Sequence, residues 1–342
     1  MTGPLPATSA QADGVAGVSP TGLSPTGPSA TGPGATGPTT NGPVLRGTWG
    51  TVLLPIRPDQ SIDFDLLDAE LDVLFKVGLA GVYTCGTAGE FHALDEGEFD
   101  HLSEVVAEKS KRAGVAFQIG ASHMSGQICV SRIRRARPLA PAAIQVILPD
   151  WLPLSPVEVN RAVEGMVAEA SPVPVVLYNP RHAKTVCSAG QLAALANELP
   201  GLVGVKVGGD DAFFSDLHAA APTLSIFGPG HELARVRHLG AVGSYSNVAC
   251  LEPSGAVRWE GQMDNDPSGA DALGERILAF FAHHILPLRS DGYSDTALDK
   301  TLAAIGGWAP IGTRVRWPYS SVPDEVVDEI APIARATLPE LF

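Results

Sequence analysis

Cysteine is scarce in this 342-residue chain: Cys85, Cys129, Cys187 and Cys250 lie far apart, and none forms a CxxC pair. That excludes a zinc knuckle and a dithiol redox motif, and the four read as buried reduced thiols. Basic charge is also in short supply. Lys and Arg number 23 against 37 Asp and Glu, a net charge of −14. Phosphate binding needs basic patches, so a nucleic-acid partner is excluded and the acidity reads as that of a soluble surface. No apolar run reaches the ~20 residues of a membrane span. The first residues have no positive start followed by an apolar stretch, so no secretory leader is expected and the cytoplasm is the expected location. The histidines do not assemble by spacing. His283 and His284 are neighbours on a helix and point apart, and His92, His123, His182 and His231 stand singly. Surface or packing roles are the reading for each, and neither a metal nor a cofactor is expected.

What is present divides into two textures. From Ser19 a five-residue unit recurs as SPTGL, SPTGP, SATGP, GATGP and TTNGP. Such a segment has little to bury, and its Pro and Gly oppose helix and sheet alike, so 1–43 is expected to be a disordered tail. After Arg46, short apolar runs alternate with amphipathic stretches. The runs are TVLLPI (51–56), GVYTC (81–85), AFQIGA (116–121), AIQVIL, PVVLYN (174–179), LVGVKV (202–207), LSIFG (224–228) and VGSYSN (242–247). Continuous apolar runs mark strands buried on both faces of a parallel sheet. Helical spacing appears at 65–78, with Gly78 as C-cap, and at 188–201, with Ser188 as N-cap and Pro200 as stop. Eight strands with intervening helices predict a (β/α)8 TIM barrel over 44–250. The last barrel helix and a C-terminal helical extension would fill 251–342. An open doubly wound sheet would carry a Gly-rich phosphate turn after its first strand, and RPDQSIDF contains no glycine.

A barrel of this kind gathers its chemistry at the C-terminal strand ends. The second ends in CGTAGEF, where Gly86, Thr87, Ala88 and Gly89 form either an anion-binding nest of backbone N–H groups or an ordinary turn. The fifth ends in LYNP with Tyr178, which by itself reads as packing. The sixth carries Lys206 in GVKVGGDD, on the same face as Gly204, which would leave space below it. Lysine is rarely buried unpaired, and burial drives an amine toward the neutral, nucleophilic form. Strands lie ~4.8 Å apart, so Tyr178 is within reach of chemistry at Lys206. Tyr245, at the end of the eighth run, is a further candidate substrate contact.

CGTAGEF, LYNP and GVKVGG, in this order, resemble the dihydrodipicolinate synthase and N-acetylneuraminate lyase family, over a stretch from about Arg46 to Phe342. The resemblance implies a barrel with a C-terminal helical extension, assembled as a homotetramer or homodimer. It implies a lyase in which Lys206 forms a Schiff base with pyruvate or another 2-keto acid, which then meets an aldehyde-type acceptor. Tyr178 and Thr87 match the family's proton relay, and Gly86 to Gly89 its carboxylate binder. Three departures stand out. Ala88 replaces a hydroxyl residue. Asp150 and Trp151, in PDWLPLS, stand where the synthases carry a tyrosine pair. The loop NPRHAKT offers Arg181 or Lys184 for a substrate carboxylate, with a changed length. Trp151 suggests a more apolar or aromatic acceptor pocket. The alternatives are the 4-hydroxy-tetrahydrodipicolinate synthase activity itself, or a keto-acid-binding or regulatory barrel without turnover.

Overall fold

The structure is a computed structural model that describes residues 45–342; the expected tail of 1–43 lies outside the described residues. Eight parallel strands run in chain order: β1 (Gly47–Thr51), β2 (Gly81–Thr84), β3 (Phe117–Gly120), β4 (Ala143–Ile147), β5 (Val175–Asn179), β6 (Leu202–Val207), β7 (Ser225–Pro229) and β8 (Gly243–Tyr245). Each pairs with the next, and β8 pairs back to β1, so the sheet closes into the expected barrel. Between strands lie α1 (Phe64–Leu74), α2 (Glu96–Ala113), α3 (Gly126–Ala136), α4 (Pro156–Ala170), α5 (Ala189–Glu198), α6 (Asp211–Ala220) and the short α7 (Leu233–Arg237). After β8 follow α8 (Asn247–Leu251), α9 (Pro253–Asn265), α10 (Pro267–Phe280), a π-helical turn (Phe281–Ile285), α11 (Leu286–Ser290), α12 (Asp295–Gly306) and α13 (Asp324–Thr337). Among the described residues no helix is long and apolar enough to cross a membrane.

The local signals act as physical chemistry requires. Ser188 caps α5, its hydroxyl accepting from the Gln191 N–H while Gln191 reaches back to the Ser188 N–H. Leu67, Leu71 and Leu74 of α1 are fully buried against the sheet. All four cysteines are buried and free.

Two expectations are corrected. TVLLPI is not the first strand. The paired segment is GTWGT; Val52 still donates to the Tyr83 carbonyl of β2 at 2.9 Å, and Leu53 and Leu54 leave the sheet while remaining wholly buried. The Leu53 N–H is instead satisfied by the buried Glu70 carboxylate at 2.7 Å. Apolarity marked burial there, not strand pairing. Gly78 does not cap α1, which ends at Leu74 with Phe75 as C-cap; Gly78, at φ +82°, turns the chain several residues later.

The helices after the barrel reach back to its mouth. The Thr296 hydroxyl of α12 donates to the Thr87 carbonyl at 2.7 Å. One turn on, Lys300 makes a wholly buried ion pair with Glu90, whose other carboxylate oxygen accepts from the Arg316 N–H at 2.9 Å. Cys85 and Glu90 have φ of +56° and +54°, an uncommon conformation for residues with a Cβ. The loop between them is therefore held in shape by α12.

Candidate active site

Register places the central pair. Tyr178 on β5 lies directly opposite Lys206 on β6, which in turn pairs with Phe227 on β7. The Lys206 ammonium nitrogen sits 4.2 Å from the Tyr178 ring centroid and 5.2 Å from those of both Tyr83 and Tyr245. Three electron-rich ring faces around one nitrogen favour its cationic forms, whether ammonium or protonated imine. Burial acts in the opposite sense and prevails. It pushes the amine down to about 8, opposed by the negative charge of Asp299. Gly204 leaves no empty space beneath. A methyl group there would meet the Ser225 carbonyl oxygen at 3.0 Å and Val176 at 3.4 Å, so the layer below the lysine is closely packed.

The tyrosines are fixed at their oxygens. The Thr87 hydroxyl donates to the Tyr178 phenol at 3.4 Å, Thr51 donates to Tyr83 at 2.7 Å, and Tyr245 donates to Gln118 at 2.6 Å. Burial pushes the Tyr178 phenol up to about 12, against the Thr87 hydrogen bond, so it is protonated at neutral pH. Lys206, Tyr178, Thr87, Ala88, Arg181 and Tyr245 share the walls of one cavity of about 410 Å³. Among the described residues the N–H groups of Thr87 and Ala88 donate to no acceptor. Gly86 and Gly89 stand behind this wall. Gly86 lies under the Tyr83 ring, and a Cβ there would come within 2.6 Å of it; Gly89 packs on the Val52 carbonyl.

Trp151 and Lys184 are not brought to the cavity. The Trp151 side chain is 76% exposed, and the Lys184 ammonium lies 5.9 Å from its ring. Neither lines the lysine cavity or the adjoining one.

Several residues of the site were missed. Asp299 and Asp295 of α12, on either side of the Thr296 that bonds the Thr87 loop, and Arg289 of α11 line the lysine cavity. Arg289 is salt-bridged to Asp295. Asp299 makes no ion pair or hydrogen bond among the described residues; burial and the charge of Asp295 push its carboxyl up to about 7, with Lys206 and Arg289 pulling the other way. The signal available was two acids four residues apart on the apolar face of DTALDKTLAAIGG. Tyr83, inside GVYTC, could have been found as Tyr178 was. Three of the single histidines lie at the cavity walls. His231 lines the lysine cavity, and His92 and His182 line an adjoining cavity of about 480 Å³ whose walls include Phe91, Leu148 and Tyr293. A residue a few positions past a strand is carried over the barrel mouth, which spacing between histidines does not reveal.

The comparisons agree with this architecture. The model of the dihydrodipicolinate synthetase family matches residues 44–335. A 4-hydroxy-tetrahydrodipicolinate synthase of Sorangium cellulosum is 29% identical over 171 residues, covering 49% of this chain and 56% of that protein. A probable 5-dehydro-4-deoxyglucarate dehydratase of Streptomyces griseus is 26% identical over 271 residues, covering 72% and 79%. The chain spans about half the length of the first curated relatives it matches, 56% and 54%. Among solved structures, YagE, a prophage protein of the dihydrodipicolinic acid synthase family from E. coli K12 in complex with pyruvate, superposes with a TM-score of 0.77. It is 20% identical, and the superposition covers 87% of this chain and 100% of that one.

Proposed function

Because the chain belongs to the dihydrodipicolinate synthetase family, we propose that it is a lyase whose Lys206 condenses with pyruvate or a related 2-keto acid. The observation that carries this is the Lys206 amine, set among three tyrosine rings at the barrel mouth with Tyr178 in register beside it. In the reaction the neutral amine attacks the keto carbon, a C–N bond forms, and the keto oxygen leaves as water. The resulting iminium draws electrons from the adjacent carbon, so a C–H, C–C or C–O bond nearby can break or form. Tyr178, protonated at neutral pH and bonded to Thr87, is the group that would donate and recover a proton there. The N–H groups of Thr87 and Ala88 take the keto-acid carboxylate. A hydroxyl at position 88 is not required for that, since the donors are backbone.

Within this reading, the charged groups of the cavity are what an acceptor meets beyond the imine carbon. The wall facing Lys206 presents the carboxylates of Asp295 and Asp299, and its Arg289 is already engaged by Asp295. Arg181 lines the same cavity, so an acceptor carboxylate would meet a cation there as well as the acids.

The test is exchange of the pyruvate methyl protons in deuterium oxide, followed by proton NMR. Exchange with the native chain and none with Lys206→Ala is the expected result. Binding without exchange would favour a keto-acid-binding barrel without turnover, and neither binding nor exchange would overturn the proposal.

A further inference from the structure

Imine formation moves protons as well as forming a bond. An ammonium and a ketone become a protonated imine and water. The nitrogen begins with three hydrogens and ends with one, so two protons pass from it to the departing keto oxygen. A group beside Lys206 has to take each proton from nitrogen and give it to oxygen.

Most titratable groups of the cavity are unsuited to that task. Burial pushes the Tyr83, Tyr178 and Tyr245 phenols and the nearby Cys250 thiol upward, so they stay protonated and accept nothing at neutral pH. Arg181 and Arg289 are permanent cations, and Arg181 and His182 lie on the exposed loop after β5. Asp295 is salt-bridged to Arg289, and Glu232 to Arg235. His231 has Nδ1 against Asn247 Nδ2 at 2.8 Å, and burial lowers its imidazole and weakens it as a base. Asp299 remains, a carboxyl in the same cavity with no ion pair or hydrogen bond among the described residues.

The placement of Asp299 is built into α12. Asp295, Leu298, Asp299 and Leu302 recur at helical spacing and form the face of α12 that lines the lysine cavity. Thr296 and Lys300, each the next residue after an acid, tie the adjoining face to Thr87 and Glu90. The helix therefore cannot turn Asp299 away without breaking a contact to the Thr87 loop. The two partners are also matched. Burial brings the amine down to about 8 and, together with the charge of Asp295, the carboxyl up to about 7. A proton passes between such groups at little cost.

We propose that Asp299 is a catalytic residue, the carboxyl that carries protons from the Lys206 nitrogen to the keto oxygen while the imine forms. The proposal rests on the Lys206 reading above and deepens it. The carboxylate first takes a proton from the ammonium. The freed lone pair forms the C–N bond, the π pair of the carbonyl moves to oxygen, and oxygen receives that proton. A second proton passes from the adduct nitrogen to the hydroxyl by the same route. The hydroxyl departs as water with the C–O pair, the nitrogen lone pair closes the C=N bond, and the carboxylate is returned. Tyr178 is left to the proton on the adjacent carbon.

The test is the rate of adduct formation with pyruvate, quenched with borohydride at set times from about pH 6 to 10. Asp299→Asn is expected to lower the high-pH plateau by about 10²-fold, a typical worth for general acid–base catalysis, while the midpoint falls. At pH 7 this variant should be slower than the native chain. A purely electrostatic role predicts the opposite. About a tenth of an amine near 8 is neutral at pH 7, so loss of the neighbouring charge alone would speed the reaction there, by up to about tenfold. Asp299→Glu keeps the carboxyl and should retain more of the rate than Asp299→Asn. Formate added to Asp299→Ala should raise the rate in proportion to its concentration. An Asp299→Asn chain that is as fast as or faster than native at pH 7 overturns this inference alone. So does a slow Asp299→Ala chain that formate leaves unchanged, with Asp299→Glu no faster than Asp299→Asn. Failure of the native chain to form any adduct removes the Lys206 reading and this one with it.

Discussion

At the scale of single residues, the site is an amine that burial has weakened and rings have positioned. Only the neutral amine attacks a keto carbon, so the rate of imine formation should rise with pH to a midpoint near 8, against 10.5 for an ordinary lysine. Asp299→Asn removes the charge that helps Lys206 keep its proton, so the same profile should shift to lower pH. Stopped-flow or trapping rates across pH measure both. The depressed amine also affects stability. Below about pH 8 both folded and unfolded chains bind the proton and the folded state bears a buried charge; the penalty fades as pH rises toward 10.5. Lys206→Met should therefore melt above the native chain at pH 7, with a difference that shrinks by pH 10, and an unchanged Tm at both would contradict the burial. Tyr178→Phe keeps the ring beneath the amine but removes the proton carrier. Methyl-proton exchange of pyruvate should then slow by about 10²–10⁴ while the lysine adduct can still be trapped. Lys206 was legible in the sequence because a lysine in a run of Val and Gly is out of place. Asp299 was not, because an acid on a helix is ordinary until the helix is seen to cross the barrel mouth.

At the scale of elements, α12 is a clamp. It touches the Thr87 loop through Thr296 and through the buried pair of Lys300 and Glu90. Removing one partner of a buried pair leaves the other charge uncompensated, so Lys300→Met should cost about 3–5 kcal/mol in chemical denaturation. Adding Glu90→Gln should recover part of that loss; a double variant no more stable than the single would contradict the pairing. Thr296→Val loses one hydrogen bond, about 1 kcal/mol, and should weaken keto-acid binding because the loop it holds presents the N–H groups. Element positions were read unevenly. LVGVKV coincides with β6, and Ser188 caps α5 as expected, because periodicity and capping are local signals. The first strand was misplaced because GTWGT is less apolar than the TVLLPI that overlaps and follows it, and burial of Val52 to Leu54 comes from packing beyond the sheet. The contact of α12 with a loop some two hundred residues earlier leaves no local mark at all.

At the scale of the whole molecule, alternation of apolar runs and amphipathic stretches was enough to indicate the closed parallel barrel, since every run but the first holds all or nearly all of one of its strands. The placement of Trp151 was not readable, because its loop lies outside every periodic pattern. The described residues, 45–342, belong to one compact unit. A chain lacking residues 1–43 is therefore expected to fold, to melt within about 2 °C of the full chain, and to form the same lysine adduct. A large loss of Tm on truncation would mean that the N-terminal residues contribute to the barrel.

The central claim is a covalent bond between Lys206 and a keto acid, and reduction makes it permanent. The chain should be incubated with pyruvate and borohydride, its intact mass measured, and the modified peptide mapped. A single adduct on Lys206, absent in Lys206→Ala, is the predicted result. An adduct on other lysines alone, or none with pyruvate or 2-oxobutanoate, would contradict it.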